Sequence, residues 1–136
     1  MNQNCTATSP EDVDLIVLAL KAIGNAGRPL SAVTNLLKCA VEPGSIAINI
    51  EALQALRRIS CSTEMTKGLF DIFKAPTTDT EVRIETYLAL MRCPSEIVIQ
   101  KIADELVTEK NNQVGSFVWS HLTNALESTE PVYGVP

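Results

Sequence analysis

The chain's only tryptophan and only histidine, Trp119 and His121, stand two residues apart in "QVGSFVWSHLTNAL" (113–126). An imidazole beside a hydroxyl is the first place to look for a general base and its nucleophile. Ser120 is the hydroxyl in question, but adjacent residues on a helix point about 100° apart, so the two side chains diverge. His121 instead shares one i, i+3, i+4, i+7 stripe with Val114, Phe117, Val118, Leu122 and Ala125. That is the pattern of a packed, hydrogen-bonded helix histidine. Trp119 falls about 100° past Val118, off the stripe, facing a neighbouring helix or an apolar ligand layer.

Other chemistry is equally thin. There is no GxSxG, P-loop, HExxH or glycine-rich phosphate cradle, so no catalytic residue, cofactor or enzymatic activity is expected. Gly24 and Gly27 in "IGNAGRP" read as a helix C-cap and a turn before Pro29. Four cysteines (Cys5, Cys39, Cys61, Cys93) form no CxxC pair, which argues against a zinc site. Two readings stay open for them, free buried thiols or a disulfide framework of an oxidising compartment. Arg57, Arg58, Arg83 and Arg92 are expected to be solvated or paired with Glu51, Glu81 and Glu85, rather than to form an anion site. Asn4-Cys5-Thr6 is an N-x-S/T tripeptide, which marks Asn4 as a possible glycosylation acceptor.

The elements that position these residues are helical. Hydrophobic residues make up 46% of the 136 but aromatics only 4%, so the core must be aliphatic, which suits helices. Pro10, Pro29, Pro43, Pro76, Pro94 and Pro131 separate apolar-periodic segments and mark where helices start or stop. The segments predict helices at 11–24, 30–41, 45–60, 63–74, 79–92, 95–109 and 112–127. The fold class is all-α. A net charge of −5 and a pI near 4.8 exclude a nucleic-acid surface, which needs a basic stripe. The longest apolar run, "LIVLAL" (15–20), cannot span a membrane. The N-terminus lacks the basic and apolar regions of a signal peptide.

The segments repeat. "ALKAI" (19–23) recurs as "ALQAL" (52–56), and "IEALQALRR" (50–58) as "IETYLALMR" (84–92). A weaker third echo places Val118, Leu122 and Ala125 after Ile84, Leu88 and Met91. A period of 33–34 residues holding two helices indicates stacked helical hairpins. Glu51, Gln54, Arg57 and Arg58 crowd into a narrow arc of helix 45–60, leaving the rest apolar, and helix 79–92 is similar. Helix 95–109 has one apolar stripe: Ile99, Ile102, Ala103 and Leu106. The alternation predicts an inner layer covered by an outer one, with an inner face left over for a partner.

"TDTEVRIETYLALMRCPSE" (78–96) and "NNQVGSFVWSHLTNALES" (111–128), with "LKAIGNAG" (20–27) and "ALQALRRISC" (52–61), closely resemble the helical domain of the large lipid transfer protein superfamily. That group includes vitellogenins, apolipophorins, apolipoprotein B and the microsomal triglyceride transfer protein large subunit, and the wording is nearest to apolipophorins. Glu85-Thr86 departs from the family, which usually has small residues there.

The resemblance implies a two-layer, right-handed α-superhelix of about seven helices, with residues 1–136 a single segment of that domain and 1–10 and 128–136 flexible ends. It implies a structural scaffold segment of a secreted lipid-transport lipoprotein, whose signal peptide lies in a longer precursor. This segment would wrap a lipid cavity whose β-sheet domains belong to the same polypeptide. The partners would be phospholipid and neutral lipid. Trp119 and His121 would be structural, on an inner-layer helix at 113–126.

The resemblance also implies a bridge between Cys5 and Cys39, joining the start of one helix to the end of the next. The repeat then puts Cys61 and Cys93 at equivalent helix ends, where they bridge or remain two reduced thiols. The bridge is the expected second pair. The rival reading is a cytosolic, HEAT-like protein-interaction solenoid, which four reduced cysteines would favour.

Overall fold

The computed structural model describes residues 5–26, 32–93 and 95–134; side chains at 24–26, 126 and 128–134 are outside the description. Seven helices follow one another among the described residues: α1 (Pro10–Ala26), α2 (Val33–Val41), α3 (Ile46–Leu56), α4 (Thr63–Lys74), α5 (Thr80–Met91), α6 (Glu96–Thr108) and α7 (Asn112–Gly134). No strand occurs among them.

Most starts are set by one side chain that accepts an otherwise orphaned helix N–H. Ser45, Ser62 and Ser95 accept from the amides of Ile48, Met65 and Val98. Asp79 accepts from Glu81 and Val82, and Asn111 Oδ1 accepts from Gln113 and Val114. In α1 the Ser9 hydroxyl takes the Asp12 amide, and Pro10 occupies the first helical position, where no N–H is needed. The caps repeat with the helices: Ser45, Asp79 and Asn111 start α3, α5 and α7, and Ser62 and Ser95 start α4 and α6. Gly44 makes the α2–α3 turn at φ 110°, a conformation that costs glycine little.

Three predicted ends move. The helix predicted at 45–60 stops at Leu56, with Arg57 as its C-cap, and the other two run on. α1 continues through Gly24 to Ala26, so Gly24 is not a C-cap; Gly27 and Pro29 lie outside the described residues. α7 passes its predicted end at 127 and runs through Pro131 to Gly134. A proline in the last turn removes one ladder bond near the end, a smaller loss than the same residue mid-helix.

The odd-numbered helices stack as one layer, with α3 between α1 and α5, and α7 beyond α5. α2 packs on α3 and α4, α4 on α5, and α6 on α5, giving a second layer. The result is an all-α superhelix of helical hairpins. Its central column is Leu20, Leu53, Tyr87 and His121, one residue per odd helix at the repeat spacing of 33–34; the first three are fully buried. Being flanked on both sides, α3 buries Ile48, Asn49, Glu51, Ala52, Leu53, Ala55 and Leu56. In α6 only Val98 and Ile102 are buried. Ile99, Ala103 and Leu106 of the predicted stripe are half-buried, because α6 touches little beyond α5.

Candidate functional site

The side chains that join one helix to the next are polar ones buried at repeat-equivalent positions. Asn49 and Arg83, one repeat apart, hold the same place in α3 and α5. Each closes the C-terminus of the preceding second-layer helix. Asn49 Nδ2 donates to the carbonyls of Cys39 (2.8 Å) and Glu42 (2.9 Å). Arg83 Nε donates to the Phe73 carbonyl (2.8 Å), and its fork donates to both oxygens of Glu109. That pair is 3% and 8% exposed, and the Arg83 guanidinium also lies over the Phe73 ring, 5.6 Å from its centroid. The hydrogen bonds from Arg83, helped by the Asn111 amide, hold the Glu109 carboxyl below the usual carboxylate range against its desolvation.

His121, expected as a packed, hydrogen-bonded helix histidine, makes another link between odd helices. Tyr87 Oη and His121 Nδ1 share a hydrogen bond of 2.8 Å across α5 and α7. Phe117 stacks on His121 (5.9 Å between centroids) and meets Tyr87 edge-on at 6.3 Å. Burial raises the Tyr87 phenol to about 12. Among the described residues no serine, cysteine or carboxylate is hydrogen-bonded to His121. Trp119 stays outside this group, 62% exposed.

The cysteines meet in two disulfide pairs. Cys5 and Cys39 have Cα atoms 5.4 Å apart and are buried. Cys61 and Cys93 are 5.9 Å apart, at the turns leaving α3 and α5, and Cys61 is exposed. Asn4 lies outside the described residues.

The arginines divide. Arg57 pairs with Glu85 at 3.4 Å, as expected. Arg83 does not join Glu51, Glu81 or Glu85; it reaches Glu109 in the α6–α7 turn. Glu51 is not on a solvated face: it is buried at the α1–α3 contact and paired with Lys21 at 2.9 Å. Spacing within one helix could not reveal either long-range partner. The usable signal for Arg83 was its position one repeat after Asn49. Glu85-Thr86 is accommodated without strain on the layer, since Glu85 faces Arg57 and the Thr86 hydroxyl donates to the Val82 carbonyl.

Among the described residues no helix is long and apolar enough to cross a membrane, and no group of three or more His, Cys, Asp or Glu could hold a metal. Stacked hairpins, bridged between cysteines 32–34 residues apart and locked by buried side chains of the odd helices, define a superhelical helix-repeat domain. The chain belongs to the vitellogenin TPR domain family, whose model matches residues 2–123.

Several curated proteins are similar over most of its length. Apolipoprotein B-100 of Rattus norvegicus is 41% identical over 125 residues, 88% of this chain and 3% of that protein. Apolipophorins of Manduca sexta are 36% identical over 132 residues, 95% of this chain and 4% of that protein. Vitellogenin of Penaeus merguiensis is 35% identical over 123 residues, 89% of this chain and 5% of that protein. The chain therefore spans only 3–5% of the length of these relatives. No solved structure matches it.

Proposed function

We propose that the chain is a scaffold segment of a secreted lipid-carrying lipoprotein, a wall around lipid held by other parts of the same polypeptide. The observation that carries this reading is the family match over residues 2–123 to proteins named as apolipoproteins, apolipophorins and vitellogenins. The two disulfide pairs support an oxidising, extracellular setting and weigh against the cytosolic interaction solenoid. In this reading Trp119 and His121 serve the scaffold and the chain catalyses nothing. The β-sheet domains that would enclose lipid belong to the rest of the polypeptide. A two-layer helical arc packed with its own side chains offers phospholipid a face rather than a container.

Flotation with triacylglycerol emulsions tests this. The purified chain is expected to stay mostly in the aqueous fraction, with only weak adsorption to phospholipid surfaces through its exposed apolar residues. Stoichiometric co-flotation with a filled lipid core would show a container and contradict the scaffold reading.

A further inference from the structure

We infer that Arg57, Arg58 and Arg92, with Gln54, form a binding site for a phosphate oxyanion, the chemistry shared by phospholipid headgroups and soluble phosphate esters. Together these four residues line one open cleft of about 440 Å³, within the usual size of small-ligand sites. Arg58 and Arg92 hold equivalent places in successive repeats, so stacking α3 on α5 sets them side by side. Neither guanidinium has a hydrogen-bond or ion-pair partner among the described residues. Arg57 is held by one long contact to Glu85, 3.4 Å, and its side chain remains 40% exposed.

The ordinary explanation for arginines here is the helix ends they follow: Arg57 caps α3 and Arg92 caps α5. Each helix C-terminus offers only about half a negative charge. Those two ends and the Glu85 carboxylate leave roughly one positive charge of the three guanidinium groups unbalanced. An excess cation in a chain whose net charge is −5 is a local feature, not a reflection of composition. Planar guanidinium forks match oxyanions in a bidentate way that ammonium groups do not, and the Gln54 amide adds a neutral donor. The Cys61–Cys93 bridge ties the two turns just beyond the arginines. It limits how far they can separate and so lowers the ordering cost of binding. This site stands independently of the scaffold reading.

The test follows the Nε–H resonances of the arginines by NMR while the 136-residue chain is titrated with inorganic phosphate and then with glycerol phosphate. Shifts confined to Arg57, Arg58 and Arg92 are expected, with affinity at least tenfold weaker in R58Q/R92Q. Both substituted residues are exposed, so the fold should survive. The double variant K38Q/K110Q makes the same change in net charge at exposed lysines elsewhere and is expected to bind as the parent does. Equal losses in both variants would reduce the effect to general electrostatics and overturn the site. So would an acidic peptide that shifts these arginines where phosphate does not, which would point to a protein partner. Co-sedimentation with phosphatidic acid against phosphatidylcholine vesicles separates the sources: binding that needs Arg58 and Arg92 assigns a lipid headgroup, and phosphate binding without vesicle binding assigns a soluble ester.

Discussion

The α2–α3 hairpin and the α4–α5 hairpin solve one problem with different chemistry. In both, a residue of the odd layer must satisfy carbonyls at the end of the preceding helix. Asn49 does so with a neutral amide and stays within its own hairpin. Arg83 does so with a charge, and the charge obliges a second partner, Glu109, from the turn into α7. A neutral closure is local. A charged one in a buried place must recruit a counter-ion, and here the counter-ion fastens the next hairpin to this one.

The comparison breaks first at Glu109. E109Q leaves the Arg83 charge buried without its partner, which should cost about 3–5 kcal/mol in urea unfolding. The cost should also depend on pH. Because the Glu109 carboxyl titrates below its ordinary value, its contribution is complete above the unfolded value of about 4.3 and fades as pH falls through the lower folded one. The gap between parent and E109Q should therefore narrow on acidification. A gap constant with pH would remove the charged closure from the account.

Asn49 supplies the contrast. N49A orphans two carbonyls and should cost about 1–3 kcal/mol. That cost should not change between neutral and acid pH, since no titrating group is lost. An acid-dependent cost would mean that the two hairpins are not chemically distinct in this way.

The smallest effect belongs to the link between α5 and α7. Y87F removes one hydrogen bond to a half-buried histidine and should cost about 0.5–1.5 kcal/mol. In a Y133F background, where Tyr87 is the only tyrosine left, tyrosinate absorbance should rise near pH 12. The stability tied to this phenol is whole below its unfolded value of about 10 and lost as pH climbs through the folded one. Absorbance rising at the unfolded value would contradict the burial of Tyr87.

What could be read from the residues alone was whatever repeats locally. Proline positions and apolar periods placed seven helices, because each reports backbone geometry within one turn. The echo of "ALKAI" in "ALQAL" carried the register that aligns Leu20, Leu53, Tyr87 and His121. The link of His121 to a phenol one repeat earlier was in that register too. Partner choice was not legible. Glu51 looked like part of a polar face until α1 covered it and brought Lys21. Arg83 looked interchangeable with Arg57, because burial on this scaffold depends on which neighbours stack, and no single helix records that. Pro131 misled for the opposite reason: the rule for proline is strict in a helix interior and lax in a last turn.

The two bridges also set how the chain responds to force. Each disulfide closes a loop, with a sequence separation of 34 between Cys5 and Cys39 and 32 between Cys61 and Cys93. Pulled from its two ends, the polypeptide can unravel its helices, but the residues inside those loops cannot add to its length. Almost half of the 136 residues are withheld, roughly 200 Å of a full extension at about 3.3–3.6 Å per residue. Tension therefore runs mainly through the segment between the bridges, α3's approach and body, and through the stretch from Cys93 onward. The parts that can lengthen are thus chosen by covalent wiring, whatever the packing around them.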